Sequence, residues 1–481
     1  MVVKDDPRTF LSYLEDSSNL KGGRADRVII PQSVAEIPTV LKEANSKKIP
    51  VTISGAGTGQ AGGRIPFGGM VLSTEKLSGI KEIAKTAGGG SASVEPGVLI
   101  RDLKSSCEKK GLFYTYDPTE QTAFVGATIA TNASGARSFR YGATRKYVQS
   151  LAVILANGSC LSLKRGDIRA KRRIFEFESD GKKYKITVPS YKMPDTKNSA
   201  GYYAEANMDL VDLFVGQEGT LGLIAGARLR LLEKPPALFS CFTFFPNEHD
   251  AWDFADSARY AAPLSIEYFD KNCLDLLRMK YGNVPPESAA AIFFEDEILE
   301  SEDAVLEKWE KILSGHGISA DKTWVAMNEK NRREFLEKRH FIPEQMSEMA
   351  GHSGFPKVST DLAVPHDKNK IMLRFYKENL KKSGLRHFVF GHIGDAHLHV
   401  NMLPSCRRNY ERAGKLQLEF VKKSISLGGT VSAEHGIGKL KRGFLRQLYG
   451  EKGVCEMFEV KKALDPNLIL GRGNIFEFPP G

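Results

Sequence analysis

Runs of apolar residues and their spacing divide the chain before any chemistry is considered. Near the N-terminus Val28-Ile29-Ile30 and Pro50-Val51-Thr52-Ile53-Ser54 read as strands, with Met70-Val71-Leu72 a third. Between the first two, Ser33-Val34-Ala35-Glu36 has the spacing of a capping box and opens a helix towards Lys47. Pro38 fits that helix poorly and displaces its start. Residues 223–231 form a further strand, and 304–313 and 369–382 read as helices. From His397 to Asn401 the pattern is strict alternation. His397, His399 and Asn401 fall on one face, Leu398 and Val400 on the other. Thr430-Val431-Ser432 reads as one more short strand. No apolar run approaches the roughly 20 residues that span a bilayer, and no internal repeat is present.

Glycine punctuates this pattern. Gly55-Ala56-Gly57-Thr58-Gly59-Gln60-Ala61-Gly62-Gly63 follows the strand at 50–54. Such a loop exposes several backbone N–H groups in a concave nest, as a pyrophosphate needs. Part of it matches G-x-G-x-x-G, which in a Rossmann unit requires a helix directly after the glycines. Arg64-Ile65-Pro66-Phe67-Gly68-Gly69 stands there instead, and Pro66 with two glycines opposes a long helix. The loop is therefore a phosphate nest between strands, with a glycine-rich surface turn as the bland alternative. Residues 116–147 are a second stretch dense in glycine, alanine and small polar residues. They let a flat ring system lie against backbone, with Asn132 and the threonines offering polar contacts. Gly216-Gln217-Glu218-Gly219-Thr220-Leu221-Gly222-Leu223-Ile224 is a third, a turn leading into a strand.

Four of the ten histidines fall in two short segments. These are Gly391-His392-Ile393-Gly394-Asp395-Ala396-His397-Leu398-His399-Val400-Asn401 and Ser432-Ala433-Glu434-His435-Gly436-Ile437-Gly438. Such a cluster is costly to bury unless it is paired or metal-bound. Gly394-Asp395-Ala396 is a turn, so His392 folds back towards the polar face that carries His397 and His399. Neutral imidazoles with a carboxylate suit zinc, with manganese or iron as alternatives. Three protein ligands leave a position open for substrate. In a turn, Glu434 and His435 both reach one cavity, one on metal and the other on substrate, where a histidine moves protons near neutral pH. Solvated histidines on a surface hairpin and an exposed loop dipeptide are the bland alternatives.

Composition narrows the setting. At 481 residues and 41% apolar, the chain suits two or three domains with sizeable cores. Residues 1–22 hold Lys4, Asp5, Asp6, Arg8 and Glu15 and lack the apolar core of a signal peptide. The six cysteines are scattered without a Cys-x-x-Cys, against an iron–sulfur cluster, a zinc ribbon or a disulfide framework, and in keeping with a reducing cytoplasm. The net charge of +10 favours anionic substrates, an acidic partner or an anionic membrane surface. No nucleic-acid partner is expected. A cytoplasmic protein is, with peripheral contact at the inner face of a membrane and a homodimer both compatible with the chain.

The glycine segments, Val94-Glu95-Pro96-Gly97, Asp117-Pro118, Ala130-Thr131-Asn132-Ala133-Ser134-Gly135 and the two histidine segments together resemble the vanillyl-alcohol-oxidase-type (PCMH) FAD-binding fold. Within it the chain is similar to the FAD-linked D-2-hydroxyacid dehydrogenases: cytochrome-linked D-lactate dehydrogenase, the flavin subunit of glycolate oxidase and D-2-hydroxyglutarate dehydrogenase. The order and spacing of the motifs, from about residue 24 to 476, make the likeness specific.

The resemblance implies an α+β protein. A two-subdomain PCMH-type FAD-binding domain would cover 1–235, an α+β cap domain with antiparallel sheet 236–430, and residues 431–481 would return to the flavin. It implies FAD held by Gly55, Ala56, Gly57, Thr58, Gly59 and Gln60, by Pro118, Gly126, Ala127, Thr128, Thr131, Asn132, Ser134, Gly135, Tyr141 and Gly142, and by Glu218, Gly222 and Ile224. No histidine stands in the nest for covalent attachment, so the FAD is expected to be noncovalent. By the same likeness His392, His399 and Glu434 bind a divalent metal, zinc first, and His435 is the catalytic base. Asn401 contacts the substrate, and Arg339 and Lys357 hold its carboxylate. The implied reaction takes a small anionic D-2-hydroxy acid of the D-lactate, glycolate or D-2-hydroxyglutarate class to the 2-oxo acid, with hydride passing to flavin N5. Electrons then pass to an acceptor the residues do not name: electron-transfer flavoprotein, cytochrome, quinone or oxygen.

The chain departs from the family in three places. His397 stands where relatives carry Asn, and adds a ligand or competes with His399. Gly471-Arg472-Gly473-Asn474 replaces the usual Asn-Pro-Gly-Lys. Residues 164–185 form a basic insertion, read as a lid, a membrane contact or a solvated hairpin. The alternatives in function are a flavin transferase like alkyl-dihydroxyacetonephosphate synthase, a noncatalytic flavin-binding subunit of a larger oxidase, and a binding protein on a degenerate flavin fold.

Overall fold

A computed structural model describes residues 1–118 and 120–477. Three sheets organise it. The first takes the strands Val2–Lys4, Arg27–Ile30, Met70–Ser73 and Val51–Ser54 in that spatial order, the last three mutually parallel. Parallel neighbours demand a crossover. The glycine nest and residues 64–69 supply one without a helix, as Pro66 requires. The C-terminal part of the chain extends this sheet. Val51 N–H donates to Ile469 O (2.7 Å) and Gly471 N–H donates to Val51 O (2.9 Å), so Leu470 pairs beside Val51.

The helix Ile37–Ser46 covers the first sheet, burying Ile37, Val40, Leu41 and Ala44 against Ile29, Val51 and Leu72. Its start differs from the capping-box reading. A 3-10 turn at Val34–Glu36 precedes it and Ser33 makes no side-chain cap. Pro38 occupies the first turn, where its missing N–H has no partner to lose.

The second sheet is antiparallel, with Ile80–Thr86, Gly89–Val94, Leu223–Glu233, Val148–Ile154 and Cys160–Lys164 in order, and Leu112–Phe113 pairing beside Leu223–Glu233. The short helices Val125–Ala130 and Ser138–Tyr141 lie in the small-residue stretch between its strands. The basic insertion becomes the hairpin Ile174–Ser179 with Lys182–Thr187. It buries Phe175, Tyr184 and Ile186 and exposes its lysines, and none of its residues lines the main cavity.

Lys234-Pro235-Pro236 separates the end of that sheet from the third, in the order Thr323–Ala326, Ala237–Phe245, Ala290–Ile298, Ser265–Asp270, His387–Gly391, His397–Met402 and Val358–Ser359. Leu362–Ala363 also pairs with His397–Met402, and every ladder is antiparallel. Both faces are covered. Phe242, Phe244, Phe269 and Phe293 meet the helices Lys271–Lys280 and Glu329–Ser353. On the other face Cys241, Tyr268 and Phe294 meet the helices Glu248–Tyr260 and Glu302–Gly315. Two buried faces explain why these strands are nearly all apolar. Of the buried acids among them, Glu267 and Glu295 pair with arginine and Asp270 and Asp296 with lysine. The whole is α+β, as expected. Among the described residues no helix is long and apolar enough to cross a membrane.

Candidate active site

A cavity of about 1310 Å³ runs between the first two sheets and the third, larger than the ~300–1,000 Å³ of ordinary ligand sites. It is lined by Gly55, Ala56, Gly57, Thr58, Gly59 and Gln60, by Pro118, Gly126, Ala127, Thr128, Thr131, Ser134 and Gly135, and by Glu218, Gly222 and Ile224. The same cavity is lined by Arg339, Lys357, Asn401, His392, His399, Glu434 and His435, and Ser134 Oγ stands 3.5 Å from Glu434 Oε1. Asn132, Tyr141 and Gly142 fall outside the lining. Asn132 Oδ1 accepts from Arg145 N–H (3.0 Å), the Tyr141 hydroxyl donates to Glu297 (2.8 Å), and Gly142 ends the helix Ser138–Tyr141 at φ +81°.

Backbone geometry assembles the histidines. Ala396, left-handed at φ +51°, closes the turn after the strand His387–Gly391 and sends His397–Met402 back along it, with Phe390 opposite His399. Gly391 lies beside the His399 ring, where a Cβ would stand 3.0 Å from it. His392, His397, His399 and Glu434 thereby each offer a ligand atom, all within 4.8 Å of one another. His392 Nε2 is 3.2 Å from Glu434 Oε1, and His399 Nε2 is 3.8 Å from Oε2.

Residues 430–435 are bends rather than the expected strand. Thr430 and Ala433 donate N–H to Ala363 O and Asp361 O. The Asp361 carboxylate orders the next residues. It accepts from Glu434 N–H (3.1 Å), His435 N–H (3.0 Å), Ser432 Oγ (2.8 Å) and Lys441 Nζ (2.6 Å). The bend sends both Glu434 and His435 into the one cavity. Asp361 Oδ2 also lies 3.5 Å from His435 Nδ1, and the His435 ring stacks on His399 with centroids 5.5 Å apart.

Charges decide the donor set. Burial pushes the His397, His399 and His435 imidazoles down, so they are neutral near pH 7. Burial would lower His392 too, but the Glu267 and Glu434 carboxylates push it up to about 9. Burial works against the Glu434 charge, yet Lys197 and His392 hold it well below the usual carboxylate range. Lys197 Nζ donates to Glu434 Oε1 at 2.5 Å.

Arg339 does not stand free. Its Nε and Nη2 grip Glu267 at 3.0 and 2.9 Å, and the other oxygen of Glu267 faces His392 Nδ1 at 2.6 Å. A carboxylate behind a ligating histidine fixes the ring and its tautomer. Glu267, Asp361 and Lys197 hold the site's side chains in place, and the sequence alone does not single them out. An acid inside an apolar strand is the one available signal for Glu267, Asp361 appears only as part of a motif, and nothing local marks Lys197.

Residues 234–475 match the family "FAD linked oxidases, C-terminal domain", and residues 25–164 the family "FAD binding domain". The chain belongs to the FAD-linked oxidases. It is 30% identical over 456 residues to a D-lactate dehydrogenase of Archaeoglobus fulgidus, covering 93% of this chain and 90% of the relative. Over 476 residues it is 29% identical to a glycolate oxidase subunit of Bacillus subtilis, 97% and 92% covered. It is 27% identical over 493 residues to a D-2-hydroxyglutarate dehydrogenase of Stutzerimonas stutzeri, 98% and 96% covered. A solved alkyldihydroxyacetonephosphate synthase superposes with a TM-score of 0.69 at 15% identity, over 98% of this chain and 82% of that one, which shows the shared fold.

The walls of this FAD-linked oxidase fit its cofactor. Backbone packs closely along the small-residue wall: a Cβ on Gly126 would meet Pro96, and one on Gly135 would stand 2.9 Å from Asp117 O. In the nest, the half-buried Arg64 guanidinium lines the cavity and donates to Gly55 O (3.0 Å), which sets a cation beside the loop where phosphates would lie. The His/Glu cluster likewise has the nitrogen and oxygen donors of a borderline divalent ion. At the Gly471-Arg472-Gly473-Asn474 departure, Asn474 Oδ1 accepts from Lys439 Nζ (2.6 Å). The same ammonium faces Gly62 O and Gly63 O, so a lysine from another segment stands behind the nest.

Glu267→Gln is expected to weaken metal binding about 10- to 100-fold, the usual cost of losing such a partner, with FAD content unchanged. Equilibrium dialysis against a competing chelator measures it, and unaltered metal affinity would remove Glu267 from the site.

Proposed function

We propose that this FAD-linked oxidase converts a D-2-hydroxy acid to the 2-oxo acid, with a divalent metal, zinc first, at His392, His399 and Glu434. One observation carries the reading: the metal-type cluster, a neutral histidine and two cations line the same cavity as the glycine nest. The named activities of the relatives agree with it.

Bound in the cavity, FAD supplies the hydride acceptor, and the metal supplies the Lewis acidity that lowers the pKa of the substrate hydroxyl. Everything else is done by the chain. Lys357, for which the described residues offer no hydrogen-bond or ion-pair partner, holds the substrate carboxylate with the Nη1 side of Arg339. Asn401, fixed by Ser359 Oγ on its Oδ1 at 2.7 Å, presents its amide to the substrate. His435, its Nδ1 turned to Asp361, takes the hydroxyl proton at Nε2. Hydride leaves C2 as that proton leaves oxygen, so the 2-oxo acid forms with two electrons passed on. The acceptor that takes them is an electron-transfer flavoprotein, cytochrome, quinone or oxygen.

Anaerobic mixing with paired D- and L-2-hydroxy acids tests the reading. A D-enantiomer should bleach the bound flavin and its L-enantiomer should not; bleaching by no member of the panel would sink it. Arg339→Ala should raise the half-saturating substrate concentration about 10- to 100-fold, matching the ~1.5–3 kcal/mol of hydrogen bonds to a charged group. Unchanged half-saturation in stopped-flow traces would remove Arg339 from the carboxylate site.

A further inference from the structure

We infer that His397 is a fourth protein ligand, so the metal is held by three imidazoles and one carboxylate and the substrate oxygen adds to a site already four-coordinate. The inference rests on the metal reading above and goes beyond its three ligands.

The argument starts from burial. His397 is 0% exposed, in the strand His397–Met402, on the same face as His399. Among the described residues its Nδ1 has no hydrogen-bond partner, and its Nε2 has only the Asp361 carboxylate, with Oδ1 at 3.1 Å. A buried polar group left without a partner costs about 1–3 kcal/mol. Buried imidazoles are ordinarily satisfied, so an orphan points to something that satisfies it.

The surroundings of the ring say what that is. The His397 centroid is 4.5 Å from that of His399 and 5.3 Å from that of His392. A His397 ligand atom belongs to the set lying within 4.8 Å of one another with His392, His399 and Glu434. Three imidazoles and one carboxylate thus bring their ligand atoms to one point, the donor set that a shared divalent cation would take. Each of the other two rings also has a fixed outer partner, Glu267 for His392 Nδ1 and Thr360 O for His399 Nδ1, at 2.6 and 3.2 Å. Asp361 is placed to do the same for His397 once the ring settles on a metal.

Four protein ligands change the chemistry expected of the site. Tetrahedral zinc with four protein ligands is the usual structural arrangement, and a catalytic site must then expand to five-coordinate to admit substrate. A nitrogen-rich set also favours the later first-row ions over manganese.

Cobalt(II) tests the inference on the FAD-loaded protein. Wild type should take up one Co²⁺ with the intense visible bands of a four-coordinate ion, and His392→Ala should abolish uptake. His397→Asn should weaken Co²⁺ binding on the order of 100-fold, the upper end of what even an outer partner costs, and should change the visible spectrum. His397→Cys should instead show a near-ultraviolet sulfur-to-cobalt charge-transfer band, because only a directly ligating thiolate produces one. Circular dichroism and FAD content matching wild type establish that both variants are folded. Unchanged affinity and spectrum in His397→Asn, or no charge-transfer band in folded His397→Cys, would overturn the inference while leaving the three-ligand site intact. Failure of wild type to bind Co²⁺, like His392→Ala, would bring down the metal reading and the fourth ligand together.

Discussion

Replacing His435 with alanine is expected to slow flavin reduction by a D-2-hydroxy acid about 10²- to 10⁴-fold, the range of a lost general base, with FAD and metal retained. The structure supplies the reasons. Burial keeps the imidazole neutral, so it is ready to accept a proton. Asp361 faces Nδ1 at 3.5 Å and leaves Nε2 for the substrate. Its side chain is also the most open of the site histidines, at 25% exposed. The Glu434 backbone is tied to Asp361 independently of the His435 ring, so the metal carboxylate should survive the substitution. Stopped-flow traces give the limiting rate, and metal analysis the occupancy. A limiting rate equal to wild type with metal in place would remove His435 from the chemistry; loss of the metal would move His435 into its shell.

Gly57→Asp is expected to give colourless protein. Gly57 sits at φ +85°, which an aspartate adopts only with strain, and a Cβ there would run into the Arg64 guanidinium. The new carboxylate would either displace Arg64 from Gly55 O or capture its charge. In both cases a negative group occupies the nest, where the two phosphates of the cofactor must lie. The flavin absorbance of purified protein measures the effect, and a fully yellow variant would refute the nest assignment.

Local patterns are legible in the sequence, and contacts between distant segments are not. The alternation from His397 to Asn401 reports a hairpin strand because a period of two survives any tertiary context. Pro66 and its neighbouring glycines rule out the Rossmann helix for a reason internal to the backbone. Residues 430–432 mislead because a β-branched pair suggests a strand, whereas Asp361, some seventy residues earlier, holds the chain in a bend by taking the N–H groups of Glu434 and His435 just beyond them. Glu267 hides inside an apolar strand because its role depends on Arg339 and His392, which arrive from a helix and from the turn after a separate strand. Small-residue composition and the family likeness draw Asn132 and Tyr141 into the cofactor set, but their hydrogen bonds to Arg145 and Glu297 are contacts between distant segments that no local pattern shows. Arg64 reads only as part of a helix-breaking stretch, because nothing local shows that its guanidinium turns back into the nest.

The pairing of Val51 with residues 469–471 has a consequence for biosynthesis. At about 5–20 residues per second, roughly 20–80 s separate emergence of the strand Val51–Ser54 from that of the segment that covers its edge. During that interval the nascent N-terminal sheet presents an unpaired border to every other chain on the polysome. Lys47, Lys48 and Pro50 stand immediately before that border, the residue types that discourage edge-to-edge association. A chain cut short before Ile469 would never cover the edge, and its fate would rest on those three guards alone.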